Sequence, residues 1–85
     1  MMKNKILIKV YIPNLDETYE IFIPTNERIK KILELIVKVV EEHSDSDFSS
    51  EQRHLLVDTD TLNIYSGSLI VRDTNLKNSK IVILI

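Results

Sequence analysis

The fold is decided by residues 65–85, which read YSGSLIVRDTNLKNSKIVILI. A short segment that ends at Tyr65 meets Gly67, the only glycine of the chain. A turn follows at Val71–Asp73, and a polar connector leads from it into the aliphatic run Lys80–Ile85. That run is far too short to cross a bilayer, and its composition favours a β-strand. We therefore expect a sheet that this strand completes.

Composition predicts one small globular domain spanning residues 1–85. Of the 85 residues 44% are hydrophobic, and the net charge is −2. The 11 basic and 13 acidic residues are mixed along the chain, so no broad basic field favours nucleic acid as a partner. The basic start at Met1–Lys5 lacks the apolar core of a signal peptide, and we expect a cytoplasmic protein without membrane insertion. The absence of cysteine excludes disulfides, thiolate metal sites and cysteine nucleophiles.

The first third of the chain has the pattern of a β-hairpin. Alternation in Lys5–Ile12 places four aliphatic side chains on one face, and Leu7, Lys9 and Tyr11 on the other. A turn-rich segment at 13–18 separates this strand from a second alternating run, Tyr19–Ile23.

A helix is predicted next. Apolar residues recur at spacings of three and four over Ile29–Val40, and Thr25 or Asn26 precedes them as a candidate cap. The segment Leu35–Val40 taken alone also fits a strand, but the full period and the Glu34/Lys38 pair favour the helix.

The remaining elements are short. Residues 43–53 are polar without a period and predict a loop. Three strands are predicted after it, at Leu55–Val57, Leu62–Tyr65 and Lys80–Ile85, with 66–79 as a connector. The order is therefore β-β-α-β-β-β, in one α+β domain.

This order, with one amphipathic helix, resembles the ubiquitin-like β-grasp superfold. The match lies in two places: Ile23-Pro24 before the helix, and Val71-Arg-Asp73-Thr-Asn-Leu76 before the last strand. The resemblance implies a mixed sheet with the helix on one face and the last strand in the middle, parallel to the first.

Within that superfold, Tyr65-Ser66-Gly67 before the connector is similar to the small bacterial YukD/EsaB family. Those are ubiquitin-like proteins found with WXG100, or type VII, secretion systems. Two features depart from the family: Ser79 stands where relatives commonly have a glycine, and loop 43–53 is long. The resemblance implies an accessory component that docks onto a membrane-embedded or ATPase partner, or onto a regulator.

The outer face of the predicted sheet is the candidate site. A single helix covers one face only, so side chains that alternate away from it meet water. Clustered apolar residues there predict a protein contact, or a homodimer through the same face. The candidate contact residues are Leu7, Tyr11, Phe22, Leu56 and Ile83.

Metal, cofactor and catalytic sites are not expected. His43 and His54 could join Glu41, Glu42 or Asp45 around a metal ion, but a helix-terminal and a strand-entry histidine are the favoured interpretations. The pairs Asp45/Asp47 and Asp58/Asp60 lack the glycine and glutamate of a calcium loop. One glycine cannot build a phosphate loop, and no nucleophile–base pair has a recognisable spacing.

The sequence thus predicts a non-catalytic ubiquitin-like protein that binds another protein. Two alternatives stay open: a covalent modifier or sulfur carrier, and a regulatory subunit of an enzyme complex such as an oxygenase or kinase. A modifier requires a terminal Gly-Gly on a free tail, and residues 80–85 carry none, so we expect no conjugation.

Overall fold

A computed structural model of the chain describes residues 4–44 and 52–85. Two long strands form a hairpin, a helix crosses it, and two short strands complete the sheet. The strands are β1 (Lys5–Ile12), β2 (Glu17–Pro24), β3 (Leu56–Asp58) and β4 (Lys80–Leu84), and the helix is α1 (Ile29–His43). A 3₁₀ turn at Val71–Asp73 lies in the connector before β4.

The sheet is mixed, with strand order β2-β1-β4-β3. β4 lies in the middle and runs parallel to β1, whereas the β1–β2 and β3–β4 pairs are antiparallel. This confirms the predicted α+β architecture, with the last strand beside the first and one helix on one face. None of the described residues belongs to a helix long and apolar enough to cross a membrane.

The core lies between α1 and the inner face of the sheet. β1, β2 and β4 each contribute alternate residues, and α1 contributes the stripe that the spacing of three and four predicts. The core side chains of these elements are Ile8, Val10, Ile12, Ile21, Ile23, Ile29, Ile32, Ile36, Val37, Val40, Val82 and Leu84. The alternative in which Leu35–Val40 forms a strand is wrong.

The predicted strand at Leu62–Tyr65 is also wrong. Only Ile64 pairs there, in one isolated bridge with Val57, so the sheet that the described residues form has four strands rather than five. Leu62 has a φ of 62°, and this left-handed conformation is incompatible with an extended strand. Most of the predicted loop 43–53, including Asp45/Asp47, lies outside the described residues.

The start of α1 is held by backbone groups rather than by a side-chain cap. Arg28 occupies the cap position and makes no capping hydrogen bond, so neither Thr25 nor Asn26 is the cap. The N–H of Ile29 donates to the carbonyl of Leu69 at 2.8 Å, and the N–H of Lys30 donates to that of Gly67 at 3.1 Å. The 65–70 segment therefore satisfies amides that a helix start leaves without partners.

Candidate functional site

One row of side chains crosses the outer face of the sheet, the face that α1 does not cover. Tyr11 on β1 pairs with Ile83 on β4, Ile83 pairs with Val57 on β3, and Val57 bridges to Ile64. Paired residues of neighbouring strands present their side chains on the same face, at Cβ separations of about 4.5–5.5 Å in antiparallel pairs. These four residues therefore form a continuous apolar row, at whose end Ile64 is 56% exposed.

The apolar surface extends from this row along β4 and reappears on the hairpin. Ile81 lies two residues before Ile83 on the same face of β4 and is 48% exposed. On the hairpin, Leu7 pairs with Phe22, whose side chain is 49% exposed. We call Leu7, Tyr11, Phe22, Val57, Ile64, Ile81 and Ile83 the outer-face patch.

A charged pair divides the outer-face patch. Lys9 pairs with Glu20 across β1 and β2, and Lys9 also pairs with Ile81 on β4. The two charges therefore lie between the Leu7–Phe22 pair and the Tyr11 row. Opposite charges inside an apolar surface favour one orientation of a partner over others.

Tyr11 is fixed in place by the turn between β1 and β2. Its hydroxyl donates a hydrogen bond to Asp16 Oδ1 at 3.0 Å, and Asp16 adopts a φ of 50° in that turn. This hydrogen bond and the negative charge of Asp16 raise the pKa of the Tyr11 phenol. The ring of Tyr11 is therefore already oriented, and a side chain that is already ordered loses less entropy when it is covered.

Four of the five sequence-predicted contact residues lie together on the outer face, and the fifth does not. Leu7, Tyr11, Phe22 and Ile83 occupy the positions described above. Leu56 is 1% exposed and packs in the core, so its placement on the outer face is wrong. The antiparallel register of β3 with β4 turns Leu56 inward together with Leu84, and Val57 takes the outward position.

Val57 and Ile64 are not predicted from the sequence as outer-face residues, and the sequence leaves the face of Ile81 open. In the run 81–85 both alternating sets of residues are apolar, so the sequence does not show which set faces the core. The pairing of β4 with β1 decides it: Val82 and Leu84 face the core, and Ile81 and Ile83 face outward. The sequence signal for Ile64 is its place in the segment Leu62–Tyr65, which predicts a full strand but forms a single bridge.

A second cluster, also missed, lies at the start of β4 on the core side. Lys80 is 8% exposed, and its Nζ lies 2.8 Å from Asp58 Oδ1 and also contacts a carboxylate oxygen of Asp60. Asn75 donates its side-chain N–H to Asp58, and the Tyr65 hydroxyl donates to Asn75 Oδ1 at 2.7 Å. These five residues, the Lys80 cluster, link β3, the following turn, the connector and β4.

The cluster favours the ionised forms of Asp58 and Lys80. Hydrogen bonds from Lys80 and Asn75 and from the backbone N–H of Asp60 hold the pKa of Asp58 well below its usual range. The two aspartates raise the pKa of Lys80. Burial and the charge of Asp58 raise the pKa of Tyr65 to about 12. The polar groups satisfy one another, and this arrangement is typical of a structural cluster.

Of the candidate metal ligands, His43, His54, Glu41 and Glu42 lie within the described residues and Asp45 does not. Within residues 4–44 and 52–85, no three His, Cys, Asp or Glu side chains stand together in a way that could hold a metal ion. His43 is the last residue of α1, and its Nδ1 lies 2.9 Å from the carbonyl oxygen of Val39. Asp58 and Asp60 flank a turn, in which the N–H of Asp60 donates to Asp58 Oδ1 at 2.9 Å.

Solved structures share this arrangement of strands and helix. One, solved under the words "Molecular Mimicry of SUMO promotes DNA repair", has a TM-score of 0.77 and 16% identity over 96% of this chain and 91% of that chain. The N-terminal ubiquitin-like domain of the 4931431F19Rik protein has a TM-score of 0.72 and 20% identity over 96% of this chain and 74% of that chain. The fold is the ubiquitin-like β-grasp.

A third neighbour is part of a membrane assembly. A chain of the MycP5-free ESX-5 inner membrane complex matches with a TM-score of 0.71 and 8% identity, over 96% of this chain and 21% of that chain. At these identities the likeness shows the fold alone. No protein-family model and no curated protein matches the chain.

Proposed function

We propose that this ubiquitin-like protein is a non-catalytic binding module whose outer-face patch docks onto another protein. The observation that carries the proposal is the continuous row from Tyr11 through Ile83 and Val57 to Ile64. Contiguous apolar surface on a small domain usually marks a contact site. Each Å² of apolar surface removed from water contributes about 25 cal/mol, so such a row can supply much of a binding free energy.

The opposite side of the molecule is less suited to this role. The solvent-facing stripe of α1 is rich in charge, with Lys30, Lys31, Glu34 and Lys38 all exposed. Lys31 and Glu34 approach each other at 4.0 Å, in a pair that is solvated and weak. This charged stripe is therefore a poorer apolar docking surface than the outer-face patch.

We further propose that the partner belongs to a type VII-like, WXG100 secretion machinery of a bacterial cell. The similarity of Tyr65-Ser66-Gly67 and of the connector to the YukD/EsaB family supports this partner class. The occurrence of the same fold in the ESX-5 inner membrane complex is consistent with it. In this role the protein stays cytoplasmic and docks onto a membrane-embedded or ATPase component.

Affinity capture with matched variants tests the proposal. The tagged protein is incubated with bacterial extract that contains the secretion components, and bound proteins are identified by mass spectrometry. We expect the wild type to retain a WXG100 protein or an FtsK-like ATPase. We expect Ile83→Asp and Tyr11→Asp to reduce that recovery at least about tenfold, since each places a charge in the apolar row.

Leu35→Asp is the control, because it makes the same kind of substitution at an exposed leucine on α1, away from the outer face. It should bind like the wild type, and circular dichroism should show all variants folded. Equal recovery with Ile83→Asp and with Leu35→Asp would rule out the outer-face patch. Recovery of no secretion component would rule out the proposed partner class.

A further inference from the structure

Three pairs of side chains lie across the β1–β2 hairpin on the outer face of the sheet. They are Leu7 with Phe22, Lys9 with Glu20, and Tyr11 with Thr18. We call these six residues the hairpin patch. Its residues on β2 are all exposed, and Phe22 is 49% exposed although it is a large aromatic residue. The hairpin patch is therefore available for contact with another molecule.

The middle pair of the hairpin patch carries two opposite charges. Lys9 and Glu20 occupy directly paired positions of the two strands. Within residues 4–44 and 52–85, neither the Lys9 ammonium nor the Glu20 carboxylate makes an ion pair within 4.0 Å. A charge that is removed from water without an opposite charge nearby is strongly destabilising. A surface that covers this pair must therefore present a negative group to Lys9 and a positive group to Glu20.

The hairpin of a second copy carries those groups at matching positions. Sheets that pack face to face align their strands to within about 30°. If a two-fold axis runs along the strands, between β1 and β2 and in the plane where the two faces meet, β1 of each copy lies over β2 of the other. Lys9 then lies over Glu20 of the second copy, and the two-fold repeats this contact. The same operation places Leu7 over Phe22, so that apolar side chains also meet.

Other positions of the axis conflict with the charges. An axis that runs across the strands through the charged pair places Lys9 over Lys9 and Glu20 over Glu20. An axis between β1 and β4 places Lys9 over Ile81 of the second copy, since these two residues are paired in the sheet. Like charges in contact, or a charge covered by an aliphatic side chain, cost free energy. Charge therefore selects the axis between β1 and β2.

We propose that the hairpin patch binds the hairpin patch of a second copy of this chain, in a two-fold dimer. Each copy contributes Lys9 to one ion pair and Glu20 to the other, and Leu7 packs on Phe22 at two further contacts. The inference does not rest on the proposed function, because it concerns the chain by itself.

The dimer leaves the remainder of the outer-face patch accessible. β2 is the terminal strand in the order β2-β1-β4-β3, so β4 and β3 of each copy project past β2 of the other. The row from Ile83 through Val57 to Ile64 is then not covered. The hairpin patch is smaller than the roughly 20–30 residues a side of a standard interface. We therefore expect a weak dimer, with a Kd of about 0.01–1 mM.

Charge reversal tests the pairing, with association measured by sedimentation equilibrium of the purified chain from dilute solution to about 1 mM. Lys9→Glu and Glu20→Lys each set like charges against each other at both ion pairs, and each should weaken association at least about tenfold. An equimolar mixture of the two variants should recover wild-type association, because every ion-pair position between different variants then joins opposite charges.

The mixture separates contacts between chains from effects within one chain. The like charges inside the hairpin of each variant persist in the mixture, so recovery can come only from the second copy. Lys31→Glu is the control, because it reverses an exposed charge on α1, and it should associate like the wild type. Ile64→Asp, at the far end of the uncovered row, should also dimerise, so loss of the dimer and loss of partner capture are distinct outcomes. A wild type that stays monomeric throughout, a mixture no tighter than the single variants, or dissociation by Ile64→Asp would overturn the proposal.

Zero-length cross-linking tests the same contact without any substitution, and so holds even if a variant fails to fold. A carbodiimide joins a lysine amine to a carboxylate, with loss of water, only where the two groups touch. An equal mixture of unlabelled and heavy-isotope-labelled wild type should give a cross-linked peptide pair that joins Lys9 to Glu20 and contains both isotopes. Mass spectrometry identifies this product. Mixed-isotope cross-links at other sites only, or none at all, would refute the proposed pairing.

Discussion

Lys80 occupies a core-facing position of β4, with its ammonium group between Asp58 and Asp60. In the sequence, Lys80 precedes a run of aliphatic residues, and this pattern predicts a solvent-exposed residue at the end of a strand. No neighbouring residue along the chain indicates its partners. Asp58 is the last residue of β3 and Asp60 lies in the turn after it, about twenty residues before Lys80. Only tertiary structure brings them together, so this cluster could not be predicted from the sequence.

The lowered pKa of Asp58 makes a prediction about acid stability. Its ionised form is favoured in the folded state, so it contributes stability that is fully present well above its ordinary pKa of 3.8 and is lost as the pH falls through that value toward the lower pKa of the folded state. Asp58→Asn should lower the free energy of unfolding at neutral pH, and its difference from the wild type should shrink toward about pH 2. Urea denaturation across this range measures the effect. The exposed Asp73→Asn is the control, and a pH-independent difference for Asp58→Asn would contradict the account.

A second prediction concerns the backbone strain at Ser79. Its φ is 69°, a conformation that costs a residue with a side chain roughly 1–2 kcal/mol and costs glycine little. The family that the sequence resembles commonly has glycine here. Ser79→Gly should therefore raise the free energy of unfolding by about 1 kcal/mol. Ser79→Ala keeps the strain and should differ little from the wild type in the same urea titration. A destabilised Ser79→Gly variant would show that the turn is not strained.

In β3, unlike in β1 and α1, the sequence pattern does not show which side chains face the core. Leu55, Leu56 and Val57 are all aliphatic, so alternation cannot say which of them faces the core. The pairing of Leu56 with Leu84 and of Val57 with Ile83 decides it. By contrast, β1 and α1 have polar residues at regular intervals, and their faces could be predicted residue by residue.

The register of β3 can be tested by paired truncations. Leu56→Ala removes a buried side chain and should cost about 2–5 kcal/mol of unfolding free energy. Val57→Ala shortens an outward side chain and should cost about 1 kcal/mol or less. Chemical denaturation of both variants gives the comparison. The reverse order would mean that β3 is shifted by one residue, since such a shift exchanges the two faces.

In the molecule as a whole, the two faces of one sheet have different roles. The inner face and α1 form the core that stabilises the fold, and the outer face keeps a row of apolar side chains in water. Four of its residues could be predicted from alternation in the hairpin and the last strand. The row through Val57 and Ile64 could not, because it depends on pairing between strands that are distant in sequence.

The most direct test of the outer-face patch is a chemical-shift titration of the isotope-labelled protein with a secretion component recovered by affinity capture. We expect the largest changes on the methyl groups of Ile81, Ile83 and Val57 and on the ring of Tyr11. The exposed stripe of α1 should change little. Changes concentrated on α1, with the outer face unaffected, would contradict the claim that this protein binds through its sheet.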